Sequence, residues 1–463
     1  MIRIFKHYVP TSILVLGLVE ALLLFFAIEL AAQLRFAEAN LQIGALSSRL
    51  LEHVVYVMVV MLSISALGLY QTEICRDLRV TSIRLIFGLG VSLVVMSVVF
   101  FLIPDVALWR SIFAIAVVIS FVIIMIARFV FTRVVDINRF KRRVAVLGAG
   151  KRALRLKDLE ESSPSRGFKI VQFMAQPGEA QQISDASCFT DIGTLRDYVR
   201  ENRIEEVVLA MEERRGQLPV NELLTCRMSG TRITDISSFI EREQGYVDLD
   251  MVNPSWLIFS DGFISLNRAA LVSKRIFDVV VSLLILIFAI PIWVPTAIAI
   301  KLTSRGPVLY RQERVGQGGD VFKALKFRSM RVDAEKDGIP KWAGENDPRI
   351  TPFGRVIRAA RIDEIPQVYN VLRGDMSFVG PRPERPYFVD QLSTEIPYYA
   401  ERHHVKPGIT GWAQLNYSYG ASIEDARRKL EFDLYYIKNY SLFLDVLILI
   451  QTARVVLWPD GVR

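Results

Sequence analysis

The sequence predicts a multidomain membrane protein: a four-helix transmembrane bundle, a small α/β domain, and a mainly α-helical domain with a re-entrant membrane helix. Three observations predict it. Four apolar runs fall within about the first 130 residues, a strand and a glycine turn open a polar segment near residue 143, and a fifth apolar run carries two prolines. The 463 residues are too many for one core. The hydrophobic content of 52% and the mean hydropathy of +0.32 are high for a soluble protein.

The first part of the chain consists of the four apolar runs, at residues 9–31, 53–70, 83–103 and 106–127. Each is about long enough to cross a bilayer, which takes ~20 apolar residues. Basic residues precede the first run, separate the second from the third, and follow the fourth, so the positive-inside rule places both ends of the bundle in the cytoplasm. Glu20 and Glu29 interrupt the first run, and we expect them to face the bundle or an interface rather than lipid. We expect no cleavable signal peptide, because no small-residue cleavage site follows this run.

A change of composition near residue 140 opens the second part. A short apolar run predicts a buried strand, and the turn Gly148-Ala-Gly150-Lys-Arg-Ala153 follows it, a GxGxxA pattern that lets a helix N-terminus approach a pyrophosphate. Further strand-like runs at 169–175 and 206–210, with a weaker one at 232–236, alternate with helical patterns, which predicts a Rossmann-like α/β domain over 143–245. The acidic residue expected at the end of the second strand is absent. A nucleotide-sensing or purely structural module is therefore favoured over a cofactor-binding one.

The connection to the third part is interpreted as a linker at 246–273, and the fifth apolar run, 276–300, follows. Pro291 and Pro295 interrupt this run, and basic residues flank both of its ends. The positive-inside rule places both ends of this run in the cytoplasm, and a proline bends a helix. A straight fifth span would put everything after it outside. The pattern therefore predicts a broken helix that dips into the inner leaflet and returns, at the start of a domain covering 274–463.

Charge and rigid backbone are most concentrated in two adjoining stretches of this domain. They are Arg358-Ala-Ala-Arg361-Ile-Asp363-Glu364-Ile-Pro366-Gln and Gly374-Asp-Met-Ser-Phe-Val-Gly380-Pro381-Arg382-Pro383-Glu384-Arg385-Pro. We expect Asp363 to cap the N-terminus of a short helix that ends at Gly374. The helix N-terminus would keep the Asp363 carboxylate ionised, so that it can act as a nucleophile or a metal ligand. Adjacent helical residues point about 100° apart, so Asp363 and Glu364 would have different roles. The arginines of the two stretches, at 358, 361, 382 and 385, are suited to bind phosphate oxygens through two parallel hydrogen bonds. A capping aspartate among solvated arginines is the alternative that the residues alone leave open.

Both stretches belong to a set of eight collinear motifs between about Lys274 and Leu457. The others include Lys274-Arg275-Ile-Phe-Asp278, Leu-Lys326-Phe-Arg328 and Val405-Lys406-Pro407-Gly408-Ile-Thr410-Gly411-Trp412. In this order the motifs resemble the bacterial polyprenyl-phosphate sugar-1-phosphate transferases, in the long form with four N-terminal transmembrane helices. The resemblance implies transfer of a sugar-1-phosphate from a UDP-sugar to undecaprenyl phosphate, giving undecaprenyl-diphospho-sugar and UMP. This is the first membrane step of exopolysaccharide, O-antigen or capsule synthesis.

The resemblance also implies residue roles. Asp363 would form a covalent phosphosugar-aspartate, Glu364 would bind Mg²⁺ with help from Asp363, and Lys326 and Arg382 would hold phosphate oxygens. Further substrate contacts are expected from Arg358, Arg361, Pro381, Pro383 and Arg328. The expected location is the bacterial inner membrane, with the catalytic domain on the cytoplasmic side. Membrane lipids are expected partners, nucleic acid is not, and a homodimer is left open.

Two departures and two alternatives accompany this interpretation. Ile290-Pro291 stands where the family usually has Ser-Pro, and the stretch 416–420 lacks the arginine that the family often places there. One alternative is a membrane scaffold or regulator of polysaccharide assembly with a nucleotide-sensing middle domain, against which the intact Asp363-Glu364 pair speaks. A NAD-dependent sugar-nucleotide enzyme built on the Gly148 turn is the other, and it lacks a recognisable tyrosine-lysine pair.

Overall fold

A computed structural model gives the arrangement of these parts. It describes residues 2–4, 7–9, 11–38, 46–70, 77–106, 108–134, 141–162, 167–189, 194–212, 218–252, 257–258, 260, 262–263, 268–332, 334, 347–417, 420 and 422–457. The chain divides into two compact units, one made mainly of residues 8–252 and the other mainly of residues 253–463. Part of the predicted linker and part of the 416–420 stretch lie outside the described residues.

The chain begins with two short paired strands, and four apolar helices of the first unit follow. They are β1 (Ile2–Ile4), β2 (His7–Val9), α1 (Thr11–Glu38), α2 (Leu46–Ala66), α3 (Leu78–Leu102) and α4 (Arg110–Val134). All four helices are long and apolar enough to cross a membrane, which confirms the four predicted apolar helices as candidate spans. The Asp77 carboxylate accepts hydrogen bonds from the amides of Arg79 and Val80 and so caps α3.

A buried ion pair joins the first and last of these helices. The Nε of Arg128 lies 2.7 Å from Oε1 of Glu20, and both side chains are almost fully buried. Arg128 also donates to the carbonyl of Leu69, and the hydroxyl of Tyr70 donates to Glu20. The expectation that Glu20 faces the bundle is confirmed. Removing either charge would leave the other buried without compensation, which typically costs about 3–5 kcal/mol.

An α/β domain follows in the same unit. Its elements are β3 (Arg142–Leu147), α5 (Lys151–Ser162), β4 (Phe168–Ala175), β5 (Ser187–Cys188), α6 (Leu195–Glu201), β6 (Glu206–Leu209), α7 (Val220–Met228), β7 (Arg232–Asp235) and α8 (Ile236–Gln244). The five strands form one parallel sheet in the order β5-β4-β3-β6-β7. This confirms the predicted Rossmann-like α/β architecture. Tyr246 and Met251, at the start of the predicted linker, pack against the core of this domain.

The second unit starts with α9 (Arg268–Thr303), a long apolar helix that is bent by 60° between Ile287 and Ala289. Proline has no N–H and its ring clashes with the carbonyl four residues earlier, so Pro291 disrupts the helix at Ile287. The predicted break in the fifth apolar run is therefore confirmed. Its placement in the inner leaflet stays a prediction.

Short strands and helices make up the rest of the second unit. They are β8 (Leu309–Val315), β9 (Val321–Phe327), α10 (Pro352–Ala359), α11 (Gln367–Arg373), β10 (Ser377–Val379), α12 (Pro386–Glu395), β11 (Gly408–Thr410), α13 (Trp412–Asn416), α14 (Ile423–Lys438) and α15 (Leu442–Leu457). β8 and β9 form an antiparallel hairpin, whereas β10 and β11 pair in parallel. The unit is mainly helical, as predicted.

Candidate active site

The two adjacent carboxylates lie in a single 3₁₀ turn, Ile362–Glu364, between α10 and α11. The predicted helix cap at Asp363 is wrong, because Pro366 occupies the position before the first residue of α11. A residue without an N–H costs little there. Arg361 adopts a left-handed conformation with φ of 58°, which separates the turn from α10. The predicted end of α11 at Gly374, with φ of 98°, is confirmed.

Glu364 is the centre of a small cluster of cations. The Nζ of Lys326 and an Nη of Arg382 each lie 3.0 Å from the same oxygen, Oε1 of Glu364. Arg361 approaches the other oxygen at 3.9 Å. Glu364 is mostly buried, whereas the Arg382 side chain is about one third exposed at 31%. One carboxylate therefore holds two cations that come from separate segments of the chain, 18 and 38 residues away.

The electrostatics of the two carboxylates differ. Burial alone would raise the pKa of Glu364, but Arg382, Lys326 and Arg361 hold it well below its usual range. Burial, and then the neighbouring charge of Glu364, raise the pKa of Asp363, although Lys326, Arg358 and Arg382 oppose this shift. Asp363, whose ionised form was expected to be stabilised by a helix N-terminus, is thus the carboxylate with the raised pKa. The positive charges that favour its ionised form belong to side chains and not to a helix dipole.

Lys326 reaches this cluster from strand β9. Its pKa is lowered by burial, with Arg382 and Arg314 adding to the effect and Glu364 opposing it. Asn370, on α11, fixes the strand: its Oδ1 accepts from the Leu325 amide and its Nδ2 donates to the Lys323 carbonyl, both at 2.9 Å. Sequence reasoning missed Asn370. A polar residue between the apolar residues Tyr369 and Val371 was the signal available in the sequence.

Arg382 lies in the turn that follows β10. This turn packs so closely on β11 that a Cβ atom on Gly380 or on Gly408 would overlap the opposing backbone. The Gly408 amide donates to the Pro381 carbonyl at 2.9 Å. Pro381 is buried and Pro383 is half-buried in this same turn. The glycines of the two motifs therefore permit the close approach that sets the Arg382 turn beside the carboxylates.

The other predicted substrate contacts divide into two groups. Arg361 belongs to the cluster, since it lies 3.9 Å from Oε2 of Glu364. The positive charge of Arg358 lowers the pKa of Asp363. Arg328 does not join the cluster. Its Nη2 donates to the carbonyl and hydroxyl oxygens of Ser304, directly after α9, at 2.9 and 2.7 Å. Its guanidinium is thus directed to the end of the apolar helix.

The start of α9 is attached to the strand that precedes Arg382. Lys274 donates to the Val379 carbonyl at 3.2 Å and pairs with Asp445 of α15 at 2.6 Å. One turn later, the Asp278 carboxylate accepts from the hydroxyl of Ser377 and the amide of Phe378. All of these side chains are buried. The family motif at residues 274–278 therefore ties the bent apolar helix to the site.

Two carboxylates occupy the glycine turn of the α/β domain. Glu179 accepts from the amides of Ala149 and Gly150 at 3.1 and 3.3 Å. Glu212 accepts from the Lys151 amide at 2.9 Å. These amides stand at the N-terminal end of α5, where a phosphate group would bind in a nucleotide-binding domain. In this chain acidic side chains satisfy them.

A divalent cation has limited protein ligands at the candidate site. Within the described residues, no group of three or more histidine, cysteine, aspartate or glutamate side chains is arranged to hold a metal ion. Mg²⁺, however, is often bound by one or two carboxylates together with water and substrate phosphates. Asp363 and Glu364 fit this pattern: Lys326 and Arg382 contact Oε1 of Glu364, and Arg361 comes no closer than 3.9 Å to Oε2.

Two family profiles match the chain. One, described as bacterial sugar transferase, covers residues 269–459 and contains the whole candidate site. The other, described as a CoA-binding domain, covers residues 65–224.

Three curated relatives show extensive similarity. The UDP-N-acetylgalactosamine-undecaprenyl-phosphate N-acetylgalactosaminephosphotransferase of Aeromonas hydrophila is 43% identical over 52% of this chain and 56% of its own length. The UDP-glucose:undecaprenyl-phosphate glucose-1-phosphate transferase of Escherichia coli strain K12 is 35% identical over 68% of this chain and 67% of its own length. The undecaprenyl-phosphate galactose phosphotransferase of Salmonella typhimurium is 32% identical, with coverages of 70% and 69%. The chain thus spans just over half to about two thirds of these relatives.

Proposed function

The chain belongs to the bacterial sugar transferase family, and on this premise we propose that it transfers a sugar-1-phosphate from a UDP-sugar to undecaprenyl phosphate. The products would be undecaprenyl-diphospho-sugar and UMP, at the start of a bacterial polysaccharide. The observation that carries the proposal is the cluster around Glu364, where Lys326 and Arg382 meet one carboxylate oxygen beside Asp363. Phosphoryl transfer depends mainly on positioning and charge neutralisation, which such a cluster supplies.

Asp363 is the proposed nucleophile. A carboxylate oxygen attacks the sugar-bearing phosphorus of the donor, the bond to the UMP oxygen breaks, and UMP leaves. The resulting phosphosugar-aspartate is then attacked by a phosphate oxygen of undecaprenyl phosphate, which forms the diphosphate and returns Asp363 as a carboxylate. Arg358 lies close enough to lower the pKa of Asp363 and so favours the ionised form that attacks.

The cations would bind the phosphates during both steps. Arg382 is partly exposed and Arg361 is 60% exposed, so their guanidinium groups can reach a bound diphosphate. Lys326, on strand β9, contributes a further positive charge, and its ion pair with Glu364 fixes its position. Asp363 and Oε2 of Glu364 would hold Mg²⁺ together with donor phosphate oxygens, and the bound cation would neutralise phosphate charge.

The membrane arrangement supports a lipid acceptor. Four helices are candidate transmembrane spans, and the bent apolar helix α9 is tied through Lys274 and Asp278 to the strand before Arg382. We propose that α9 enters the inner leaflet of the bacterial cytoplasmic membrane and returns. The site would then lie on the cytoplasmic side, at the depth of a lipid phosphate. A homodimer stays a prediction.

The test is transfer of label from a radiolabelled UDP-sugar to undecaprenyl phosphate by purified full-length protein, over a panel of UDP-sugars. Asp363→Asn should abolish transfer and UMP release while the protein still inserts into membranes. Asp390→Asn, on the exposed face of α12, is the matched control and should keep full activity. Full activity of Asp363→Asn would remove Asp363 from the mechanism, and no UMP release with any UDP-sugar would overturn the proposed function.

A further inference from the structure

In the turn that carries Arg382, four successive backbone carbonyls, those of residues 381–384, each accept a hydrogen bond from another part of the chain. The Pro381 carbonyl accepts from the Gly408 amide at 2.9 Å, and the Glu384 carbonyl accepts from the Val315 amide at 2.9 Å. The two carbonyls between them accept from arginine side chains. Since Pro381 and Pro383 have no N–H, carbonyl groups are the main backbone means of fixing this turn.

Arg402 holds the carbonyl of Arg382 itself. Its Nη2 donates to that carbonyl at 2.9 Å and to the Asp433 carboxylate at 2.8 Å, and its Nη1 donates to the Tyr399 hydroxyl at 2.6 Å. The Arg402 side chain is only 6% exposed. A guanidinium this buried cannot clamp a substrate phosphate without leaving Asp433 unpaired, which is unfavourable.

Arg314 holds the next carbonyl from strand β8. Its Nη1 donates to the Pro383 carbonyl at 2.8 Å, and its Nε and Nη2 both donate to Oε1 of Gln312. The Val315 amide, one residue along the strand, holds the Glu384 carbonyl. Strand β8 thus donates to the carbonyls of Pro383 and Glu384 at the end of the turn. The Tyr399–His404 segment, which bears Arg402, donates to the carbonyl of Arg382.

We propose that Arg402 and Arg314 are positioning residues, which fix the backbone of the Arg382 turn so that the Arg382 guanidinium stays 3.0 Å from Glu364. This inference rests on the proposed function. It gives a role to two mostly buried arginines that donate to backbone carbonyls of the Arg382 turn. It also assigns a role to residues on three elements, β8, the Tyr399–His404 segment and α14, that the sequence motifs leave without one.

The test is a double-mutant cycle measured by UMP release. The variants are Arg402→Gln with Asp433→Asn, which removes both buried charges together, then Arg382→Lys, and finally their combination. If Arg402 acts through Arg382, the charge-removed pair lowers kcat on the order of 10- to 100-fold in the wild-type background and has little further effect in Arg382→Lys. Arg314→Met should behave in the same way. Arg373→Gln, an exposed arginine of the same unit, is the control and should change nothing.

Effects that multiply fully in the combined variant would overturn the positioning role. A variant that merely destabilised the fold would lower activity by the same factor in both backgrounds, so the cycle separates the two explanations.

A second measurement does not depend on activity. Phenylglyoxal modifies accessible arginines, and its rate at Arg382 can be followed by peptide mass spectrometry, with exposed Arg196 as an internal reference. We expect the Arg382 rate to rise several-fold in the charge-removed pair, and an unchanged rate would overturn the proposal. Because this arm needs no turnover, absence of UMP release would count against the proposed function alone.

Discussion

The α/β domain and the C-terminal unit both gather acidic side chains next to a short turn, but they surround them with different donors. In the α/β domain, Glu179 and Glu212 accept from backbone amides at the start of α5. In the C-terminal unit, Glu364 accepts from the side chains of Lys326 and Arg382. Amide donors are fixed in the backbone, whereas cationic side chains can also contact an incoming anion.

The difference decides which of the two turns is suited to a phosphorylated ligand. In the glycine turn, the chain's own carboxylates take the place of the anion and close the site. Around Glu364, a carboxylate fixes cations that remain partly exposed, so the site stays open to phosphate. A glycine pattern and a family profile described as CoA-binding therefore do not by themselves indicate a bound nucleotide in this chain.

The largest expected effect in this comparison comes from Glu364→Gln. Neutralising the residue removes the charge that fixes Lys326 and Arg382, and UMP release should fall by about 100-fold or more. Glu395→Gln, an exposed residue at the end of α12, is the matched control and should keep wild-type activity. Near-normal turnover of Glu364→Gln would mean that the cations hold their positions without it.

The pH dependence of the rate should show the next effect. The pKa of Asp363 is raised, so activity should be lost as the pH falls through a value above the ordinary 3.8, when the nucleophile becomes protonated. The pKa of Lys326 is lowered, so activity should also fall at a pH below the ordinary 10.5, when its charge is lost.

The Glu364→Gln variant tests the direction in which the two limbs of the pH–rate profile move. Glu364 raises the pKa of both Asp363 and Lys326, so its neutralisation should move both limbs of the residual pH–rate profile to lower pH. The profiles are compared by UMP release at saturating donor. Limbs that stay in place, or move upward, would contradict the assignment of these two groups.

The smallest effect is expected in the α/β domain. Glu179→Gln with Glu212→Gln keeps oxygen acceptors for the amides but removes the negative charge at the start of α5, so the midpoint of thermal unfolding should fall by the equivalent of only about 1 kcal/mol. UMP release should be unchanged. Exposed Glu201→Gln with Glu205→Gln is the control pair.

Two results would break the comparison between the domains. One is a loss of UMP release in the Glu179→Gln, Glu212→Gln variant comparable to that of Glu364→Gln. The other is a higher unfolding midpoint of the wild-type protein in the presence of NAD⁺ or coenzyme A, since ligand binding to the folded state raises it.

Features with a strong local signal were predictable from the sequence. Hydropathy located α1 to α4, and Pro291 located the bend in α9 within a few residues, because apolar length and a missing N–H act on their own segment. Alternating apolar runs predicted the parallel sheet for the same reason. The candidate site was located by motifs, and the structure brings Lys326, Asp363, Glu364 and Arg382 together.

Features that depend on distant contacts were not predictable. The cap expected at Asp363 was wrong because the turn is set by Arg361 and Pro366, and because a lysine 38 residues away pairs with Glu364. Arg328 fits a phosphate-binding pattern yet contacts Ser304. Nothing in the GxGxxA pattern shows that Glu179 and Glu212 fold onto its amides.

The most direct measurement concerns the chemical state of Asp363 after the donor is added. Full-length protein is mixed with a UDP-sugar that supports turnover, without undecaprenyl phosphate, then quenched and digested for tandem mass spectrometry. A phosphosugar adduct should appear on Asp363, be missing from Asp363→Asn, and disappear when undecaprenyl phosphate is added. Turnover without an adduct on Asp363, or an adduct on another residue, would contradict the proposed mechanism.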